Sequence, residues 1–315
     1  LQFLFQIPFM KKAGLLVKPQ WAWNDEGLKK VRTLMLPALF GVSVTQINLL
    51  LNQVIASFLV TGSITWLYYS DRLIEFPLGI FGIAISTVVL PTLSKIAKQK
   101  ALNETARQAQ FQTTMDWGVR MVLLLGIPAM IGIATLAQPM IMTLFMRGKF
   151  GLSDVIASSH SLWIMCLGLN SYMLISILAN GFYANQNTKT PVKIGLIATA
   201  CNMCFGLLAI PFGYLGLAMA SALSAAVNAS LLYRQLSKQG IYHISRKAIF
   251  FILKVAIAAL VMGGLVNYFS PHLEEWFEMS TLMKAYWLGW LIVLAVISYF
   301  VMLFILGIRK WNFRS

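Results

Sequence analysis

The chain has 315 residues, of which 58% are hydrophobic and only 11% are charged. An average soluble domain has about 45–50% apolar and about 25% charged residues. Together with a mean hydropathy of +0.74, this composition excludes a soluble globular protein and indicates an integral membrane protein.

Long stretches without Asp, Glu, Lys or Arg predict the membrane spans, because about 20 apolar residues cross a bilayer. Six such stretches are 33–60, 121–146, 155–188, 194–233, 255–273 and 285–308. The stretch 194–233 predicts two spans, since Pro211, Phe212 and Gly213 interrupt it. A further span, about 63–92, is apolar except for three charges. The sequence therefore predicts an all-α, polytopic transmembrane bundle of about eight spans.

The first seven residues are apolar, and Pro8 ends this run. The run is too short to span a bilayer, and it lacks the basic stretch and cleavage site of a signal peptide. We therefore expect residues 1–7 to be the end of an upstream membrane helix. Residues 8–32 follow as a cytoplasmic loop, in which Trp21, Trp23 and the start signal Asn24-Asp25-Glu26 predict a short surface helix.

The distribution of the +15 net charge among the loops indicates how the chain is oriented in the membrane. Of the 25 basic residues, 20 fall in alternate loops that share one side, namely 8–32, 95–120, 189–193, 234–247 and 309–315. The opposite side carries Arg147, Lys149 and Lys284. The positive-inside rule places the basic loops and the C-terminus in the cytoplasm, so the charge does not indicate a nucleic acid partner. A basic cluster facing anionic lipid headgroups is a second interpretation.

Three charged residues, Asp71, Arg72 and Glu75, interrupt the span at 63–92. Residues three and four apart share a helix face, so these residues form one stripe with Tyr68. An ion at the centre of a membrane helix costs about 2.5–3.5 kcal/mol, which excludes a lipid-facing stripe. Either Arg72 bridges Glu75 in a self-neutralising cluster that only locks helices together, or the stripe lines a polar cavity on a substrate path. We favour the cavity.

The surroundings of the stripe qualify this prediction. Pro77, Gly79 and Gly82 follow it directly and permit a kink or a broken helix. The three charges sum to −1. The stripe therefore attracts a strongly anionic substrate only if basic groups from elsewhere in the bundle join it.

Polar and small residues mark two further helix faces. Thr45, Asn48 and Asn52 form a polar face on the first span, which looks inward because amides in hydrocarbon need partners. This face serves either interhelical hydrogen bonding or the transport path. Ala218 and Ala222, with neighbouring alanines and serines, predict a close-packing face rather than a ligand site.

The sequence predicts neither an enzyme nor a cofactor or metal site. Cys201 and Cys204 form a Cys-x-x-Cys pair in an apolar span, without the second pair or His that a metal site requires. The histidines stand singly, and no catalytic Ser/His/Asp or Cys/His grouping is present. The last two spans, about 248–269 and 281–308, are apolar all round, which predicts a peripheral pair with an exposed groove for acyl chains.

Several passages carry a resemblance to a known family. They include Leu36-Pro37-Ala38, Tyr69-Ser70-Asp71-Arg72-Leu73-Ile74-Glu75-Phe76-Pro77-Leu78-Gly79, Leu90-Pro91-Thr92-Leu93-Ser94, Gly181-Phe182-Tyr183-Ala184 and Lys189-Thr190-Pro191-Val192-Lys193. On these passages the chain resembles the lipid II flippase family (MurJ, also called MviN) of bacterial inner membranes, within the MOP exporter superfamily. The resemblance covers essentially the whole chain.

The resemblance implies the end of helix six and helices seven to fourteen of a 14-helix protein. Residues 33–237 then form a six-helix C-lobe, and 238–315 form two additional helices and a cytoplasmic tail. The implied activity moves an undecaprenyl-diphosphate-linked peptidoglycan precursor between leaflets by alternating access. The implied partners are lipid II, membrane lipids and the upstream lobe.

The resemblance also implies roles for particular residues. By motif position, Arg72 is similar to a cavity arginine of the family, with Asp71 and Glu75 as its acidic neighbours. The predicted substrate-binding residues are Arg72, Asp71, Glu75, Tyr68, Asn48 and Asn52. Some relatives bind sodium through an acid and an Asn-x-x-x-Asp/Asn pair. Here these positions read Asn52, Asn202 and Gly206, so the resemblance does not extend to a sodium site.

Three alternatives remain open from the sequence. The first is another exporter of the superfamily that moves a drug or a different polyprenyl-linked glycan. The second is a non-transporting membrane scaffold, in which the charged stripe is only structural. The third is a truncated product without activity of its own.

Overall fold

The computed structural model describes residues 2–14, 25–99 and 103–308. These residues form helices and no strand, in agreement with the all-α prediction. The α-helices are α1 (Gln2–Lys12), α2 (Glu26–Ser57), α3 (Ser63–Pro77), α4 (Ala84–Lys98), α5 (Glu104–Thr135), α6 (Ala137–Phe145), α7 (Leu152–Tyr183), α8 (Lys189–Leu208), α9 (Gly213–Lys238), α10 (Arg246–Phe269), α11 (Leu273–Glu278) and α12 (Thr281–Ile305).

Seven helical segments among the described residues are long and apolar enough to cross a membrane. They are Ser63–Lys98, Glu104–Thr135, Leu152–Tyr183, Lys189–Leu208, Ile210–Lys238, Arg246–Phe269 and Thr281–Ile305. The predicted first span coincides with the 32-residue helix α2, most of whose side chains between 36 and 48 lie outside the described residues. The prediction of about eight spans is therefore close.

The end of α1 and the start of α2 can be compared with the segments predicted for residues 1–7 and 8–32. Helix α1 continues through Pro8 to Lys12. The start signal begins α2 itself and not a separate short helix: the Asp25 carboxylate accepts a hydrogen bond from the Leu28 N–H at 3.2 Å, and α2 then continues from Glu26 to Ser57 through the first span. The surface helix predicted around Trp21 and Trp23 lies outside the described residues. The division into a six-helix lobe and two additional helices stays a prediction.

A π-helical segment, Leu78–Ile83, joins α3 to α4. The three elements form one continuous segment of 36 residues, so the chain neither stops nor reverses at Pro77 and the two glycines that follow it. Pro77, the last residue of α3, lacks the N–H for the regular helical bond, and the π-helical segment begins directly after it. Such turns are frequent at functional sites.

A 3-10 turn, Ile210–Phe212, separates α8 from α9. Pro211 contributes no N–H to a helix, and Gly213 adopts a φ of +61°, which favours glycine. Gly216 then passes so close to the Ala209 carbonyl that a Cβ has no room. The predicted interruption of the long apolar stretch is confirmed.

Helix α7 is the central helix and packs against α3, α4, α5, α6 and α9. Its residues Leu169, Met173 and Ile177 are fully buried and lie four apart, so they form one core-facing stripe. Gly168 faces Ala222 of α9, and a Cβ at Gly168 would lie 3.0 Å from the Ala222 Cα. The predicted close-packing role of Ala222 is thus confirmed.

Helices α10 and α12 pack on one another at the edge of the bundle, chiefly against α5 and α6. The Tyr299 hydroxyl of α12 donates to the Leu124 carbonyl of α5 at 2.6 Å. Lys254 of α10 donates to the Leu306 carbonyl at 2.9 Å, which satisfies an acceptor at the end of α12. The pair exposes many large apolar side chains, as a lipid-facing position requires.

A buried carboxylate, Asp116 of α5, fastens the connection between α9 and α10. Arg120 pairs with it at 3.1 Å, and the hydroxyls of Tyr242 and Ser245 each donate to it at 3.3 Å. Burial, and then the negative charge of Asp116, raise the pKa of the Tyr242 phenol above its ordinary value. This cluster ties the peripheral helices to the bundle.

Candidate functional site

Helix α3 is fixed against α7 by one face, which leaves the opposite face open. Trp66 donates its indole N–H to the Asp154 carboxylate at 2.8 Å, and the Ser70 hydroxyl donates to the Ser158 carbonyl at 2.8 Å. Leu73 of the same face is buried. The charged stripe of α3 consequently points away from the hydrophobic core.

Arg72 makes two contacts within this stripe. Its Nη1 lies 2.6 Å from Glu75 Oε2, and its guanidinium carbon lies 4.9 Å from the centre of the Tyr68 ring. The side chains of Arg72 and Glu75 remain 54% and 51% exposed. The ion pair is therefore accessible, and the guanidinium retains donors for a further anionic group.

A cavity of about 700 Å³ lies beside the stripe, between α2, α3, α7, α8 and α9. Asp71 and Glu75 of α3 line it, together with Asn52 of α2. Pro191 and Asn202 line it from α8. The cavity thus lies where the open face of α3 meets the polar faces of two other helices.

Polar groups of α7, α8 and α9 complete the cavity wall. The Tyr172 hydroxyl donates to the Ser221 carbonyl at 3.0 Å, and the Ser224 hydroxyl donates to the Ala198 carbonyl at 2.8 Å. Asn202 is only 2% exposed, and its side-chain oxygen has no hydrogen-bond partner among the described residues. An unsatisfied buried acceptor is costly, and this oxygen is itself enclosed by the surrounding side chains.

The predicted site residues fall into three groups. Asp71, Glu75 and Asn52 line the cavity. Arg72 and Tyr68 lie on the same face of α3 as Glu75, where the Arg72 guanidinium contacts the Tyr68 ring. The side chain of Asn48 lies outside the described residues.

Sequence reasoning missed several residues of the cavity wall. Tyr172 and Asn228 line it, and so do Ser221 and Ser224, which the sequence assigned to helix packing. The signal was present on α9, where Ser221, Ser224 and Asn228 follow the spacing i, i+3 and i+7 of one helix face. Because small residues surround them, the sequence predicted a close-packing face here instead of a cavity wall.

Comparisons with known proteins decide the family. The family model described as "Lipid II flippase MurJ" matches residues 1–287. The chain belongs to the lipid II flippase MurJ family. It is 64% identical over 310 residues to the "Probable lipid II flippase MurJ" of Haemophilus influenzae, covering 98% of this chain and 61% of that protein.

A second member of the MurJ family matches over a similar share of its length. The protein of the same name from Vibrio cholerae is 52% identical over 315 residues, which are 100% of this chain and 59% of that protein. The chain therefore spans about three-fifths of the length of these curated relatives.

The fold is that of a solved MurJ structure. The structure described as "Lipid II flippase MurJ, inward closed conformation" matches with a TM-score of 0.71 and 23% identity, covering 94% of this chain and 58% of that chain. At this identity the match establishes the fold. The chain is a multi-pass, all-α membrane protein of the MurJ family.

Proposed function

We propose that this chain is the C-terminal part of a lipid II flippase. The whole protein moves the undecaprenyl-diphosphate-linked peptidoglycan precursor across the bacterial inner membrane by alternating access. Membership of the MurJ family and the names of its curated relatives support this function. The substrate is carried chemically unchanged, so the protein acts as a transporter and not as an enzyme.

The observation that carries the proposal is the charged stripe of α3 beside a polar cavity. Arg72 is half exposed next to Glu75, and Glu75 lines the cavity. A guanidinium binds a phosphate through two parallel hydrogen bonds, which a lysine ammonium does not reproduce. In the loaded state Arg72 binds the diphosphate, and in the empty state it returns to Glu75.

The charge balance assigns part of the site to the upstream lobe. Asp71, Arg72 and Glu75 together carry −1, whereas a diphosphate needs a net positive environment. Basic residues of the upstream lobe therefore complete the binding site around the diphosphate. The hydroxyl and amide groups of α8 and α9 contact the sugar and peptide parts of the precursor.

The orientation follows from the distribution of the basic residues. The loops at the start of α8, the end of α9 and the start of α10 carry Lys and Arg, and the positive-inside rule places them in the cytoplasm. The C-terminus then lies in the cytoplasm as well. The lipid tail of the substrate stays in hydrocarbon while its headgroup crosses through the cavity.

The experiment is complementation of a flippase-depleted bacterium with the full-length gene from which this sequence comes. We expect the parent gene to restore growth, and Arg72→Ala and Arg72→Lys to fail at equal membrane levels. Lys149→Ala, in the loop before α7, is the matched control and should restore growth. Failure of a well-expressed parent gene would favour a different exporter, and full rescue by Arg72→Lys would exclude the bidentate phosphate contact.

A further inference from the structure

A second groove, of about 410 Å³, lies between α8 and α9. Lys193, Ile194 and Ile197 line it from α8, and Leu231, Arg234 and Lys238 line it from α9. Lys193 and Ile197 lie four apart on α8, and Leu231, Arg234 and Lys238 lie three and four apart on α9, so each set occupies one helix face. The groove is therefore a contact line between two packed helices.

The groove is separate from the cavity beside α3. Helix α8 lines that cavity with Val192, Gly195 and Asn202, whereas it lines the groove with Lys193 and Ile197. Because these sets lie on different faces of α8, the groove opens on another side of the helix pair. A ligand of the groove does not occupy the space proposed for the substrate.

The groove carries uncompensated positive charge. Lys193, Arg234 and Lys238 are exposed, and the described residues that line the groove include no acid. In the part of the chain that the structure describes, none of the three forms a salt bridge. Three cations without acidic partners make a site for an anion.

The floor of the groove is apolar and lies deeper along the helices. Ile194 is buried, Ile197 is 43% exposed, and Leu231 is half-buried. Lys193 is near the start of α8, and Lys238 is the last residue of α9. The two helices run in opposite directions, so charge gathers at one end of the groove and apolar surface lies towards the membrane interior.

We propose that this groove binds one anionic phospholipid of the adjacent leaflet. The headgroup phosphate lies among Lys193, Arg234 and Lys238, and an acyl chain lies along Ile197 and Leu231. The arrangement of charge and apolar surface matches this amphiphile from its headgroup to its tail. A free phosphate uses only the charged end, so the apolar floor distinguishes the two ligands. The positive-inside rule makes the leaflet the cytoplasmic one.

The test uses the purified full-length protein in detergent, with native mass spectrometry as the measurement of bound lipid. Phosphatidylglycerol is the anionic probe, and phosphatidylcholine is its neutral counterpart. We expect the parent protein to prefer phosphatidylglycerol, and the variant K193Q/R234Q/K238Q to bind it about tenfold or more weakly. The matched control K95Q/K98Q/R246Q removes the same number of exposed Lys and Arg residues at the same end of the bundle and should bind within about twofold of the parent.

A second variant tests the apolar floor without a change in charge. Ile197→Trp fills the groove and should weaken phosphatidylglycerol binding, while millimolar inorganic phosphate should not displace the lipid. Equal losses in the two triple variants would mean general surface attraction and would overturn the proposal. Unchanged lipid binding in K193Q/R234Q/K238Q, or displacement by phosphate with no effect of Ile197→Trp, would overturn it as well.

Discussion

The Tyr299 hydroxyl donates a 2.6 Å hydrogen bond to the carbonyl oxygen of Leu124. In a regular α-helix the Leu124 carbonyl would accept a hydrogen bond from the N–H of residue 128. In α5 this residue is Pro128, which has no N–H to donate. The peripheral helix α12 therefore supplies the hydrogen bond that the proline removes from α5. This contact fixes α12 to the bundle at a point where α5 is locally weakened.

Tyr299→Phe should lower the stability of the protein by about 1 kcal/mol, because it leaves the buried Leu124 carbonyl without a donor. The measurement is the melting temperature of the full-length protein in detergent. Tyr286→Phe, at an exposed position on the same helix, is the control and should be neutral. Equal melting temperatures for the parent and Tyr299→Phe would show that another donor satisfies the carbonyl.

Asp116→Ala should destabilise the protein by about 3–5 kcal/mol, since it leaves the largely buried Arg120 without its partner. Glu104→Ala breaks a more exposed pair with Arg107 on the same helix and should cost less than about 1 kcal/mol. The measurement is again thermal unfolding in detergent. If both variants melted alike, the Asp116 cluster would not fasten the α9–α10 connection.

Alkaline pH should destabilise the protein through Tyr242. Burial, and then the charge of Asp116, raise the pKa of this phenol in the folded state, while in the unfolded chain it is about 10. The fold therefore favours the neutral phenol, and this stabilisation is present below about pH 10 and is lost as the pH rises above it. Melting temperatures at about pH 8 and pH 10.5 should differ less for Tyr242→Phe than for the parent. Tyr268→Phe, which alters an exposed tyrosine, should keep the full alkaline loss.

The sequence predicted the fold well, because membrane spans are encoded by length and hydropathy over many residues. Pro211 and Gly213 even located the interruption between α8 and α9. Contacts that depend on the relative rotation of helices were harder to predict. Nothing in the local sequence of Leu124 indicates that its partner is Tyr299, which lies far along the chain.

The site was predicted only in part, because it also depends on the relative rotation of helices. Asp71 and Glu75 could be predicted as candidate site residues because charges are rare in membrane spans. Serine and asparagine are common in packed helices, so only the three-dimensional structure places Ser221, Ser224 and Asn228 at the cavity. The π-helical turn after Pro77 also depends on the tertiary structure, since the same residues permit a kink or a break.

Gly168→Val should separate α7 from α9 and destabilise the bundle. A Cβ at Gly168 would lie 3.0 Å from the Ala222 Cα, which is backbone that cannot move aside without shifting a helix. Overpacking of this kind costs about 1–3 kcal/mol. Gly289→Val on α12 is the control, because a Cβ there meets nothing within 4 Å. A similar melting temperature for both variants would contradict the close approach of the two helices.

Glu75→Gln should increase the affinity of the full-length protein for lipid II. In the proposed mechanism Glu75 competes with the diphosphate for Arg72, since its carboxylate lies 2.6 Å from the guanidinium. An exposed ion pair contributes about 0.2–1 kcal/mol, so its removal should tighten binding by about 1.4- to fivefold. The measurement is a lipid II titration by native mass spectrometry.

The double variant R72A/E75Q separates competition from simple charge repulsion. If Glu75 acts by occupying Arg72, then Glu75→Gln should have no effect once Arg72 is alanine. If Glu75 only repels the diphosphate, the substitution should tighten binding equally in both backgrounds. That second result would contradict the exchange of Arg72 between Glu75 and the substrate, while the cavity itself would remain the proposed binding site.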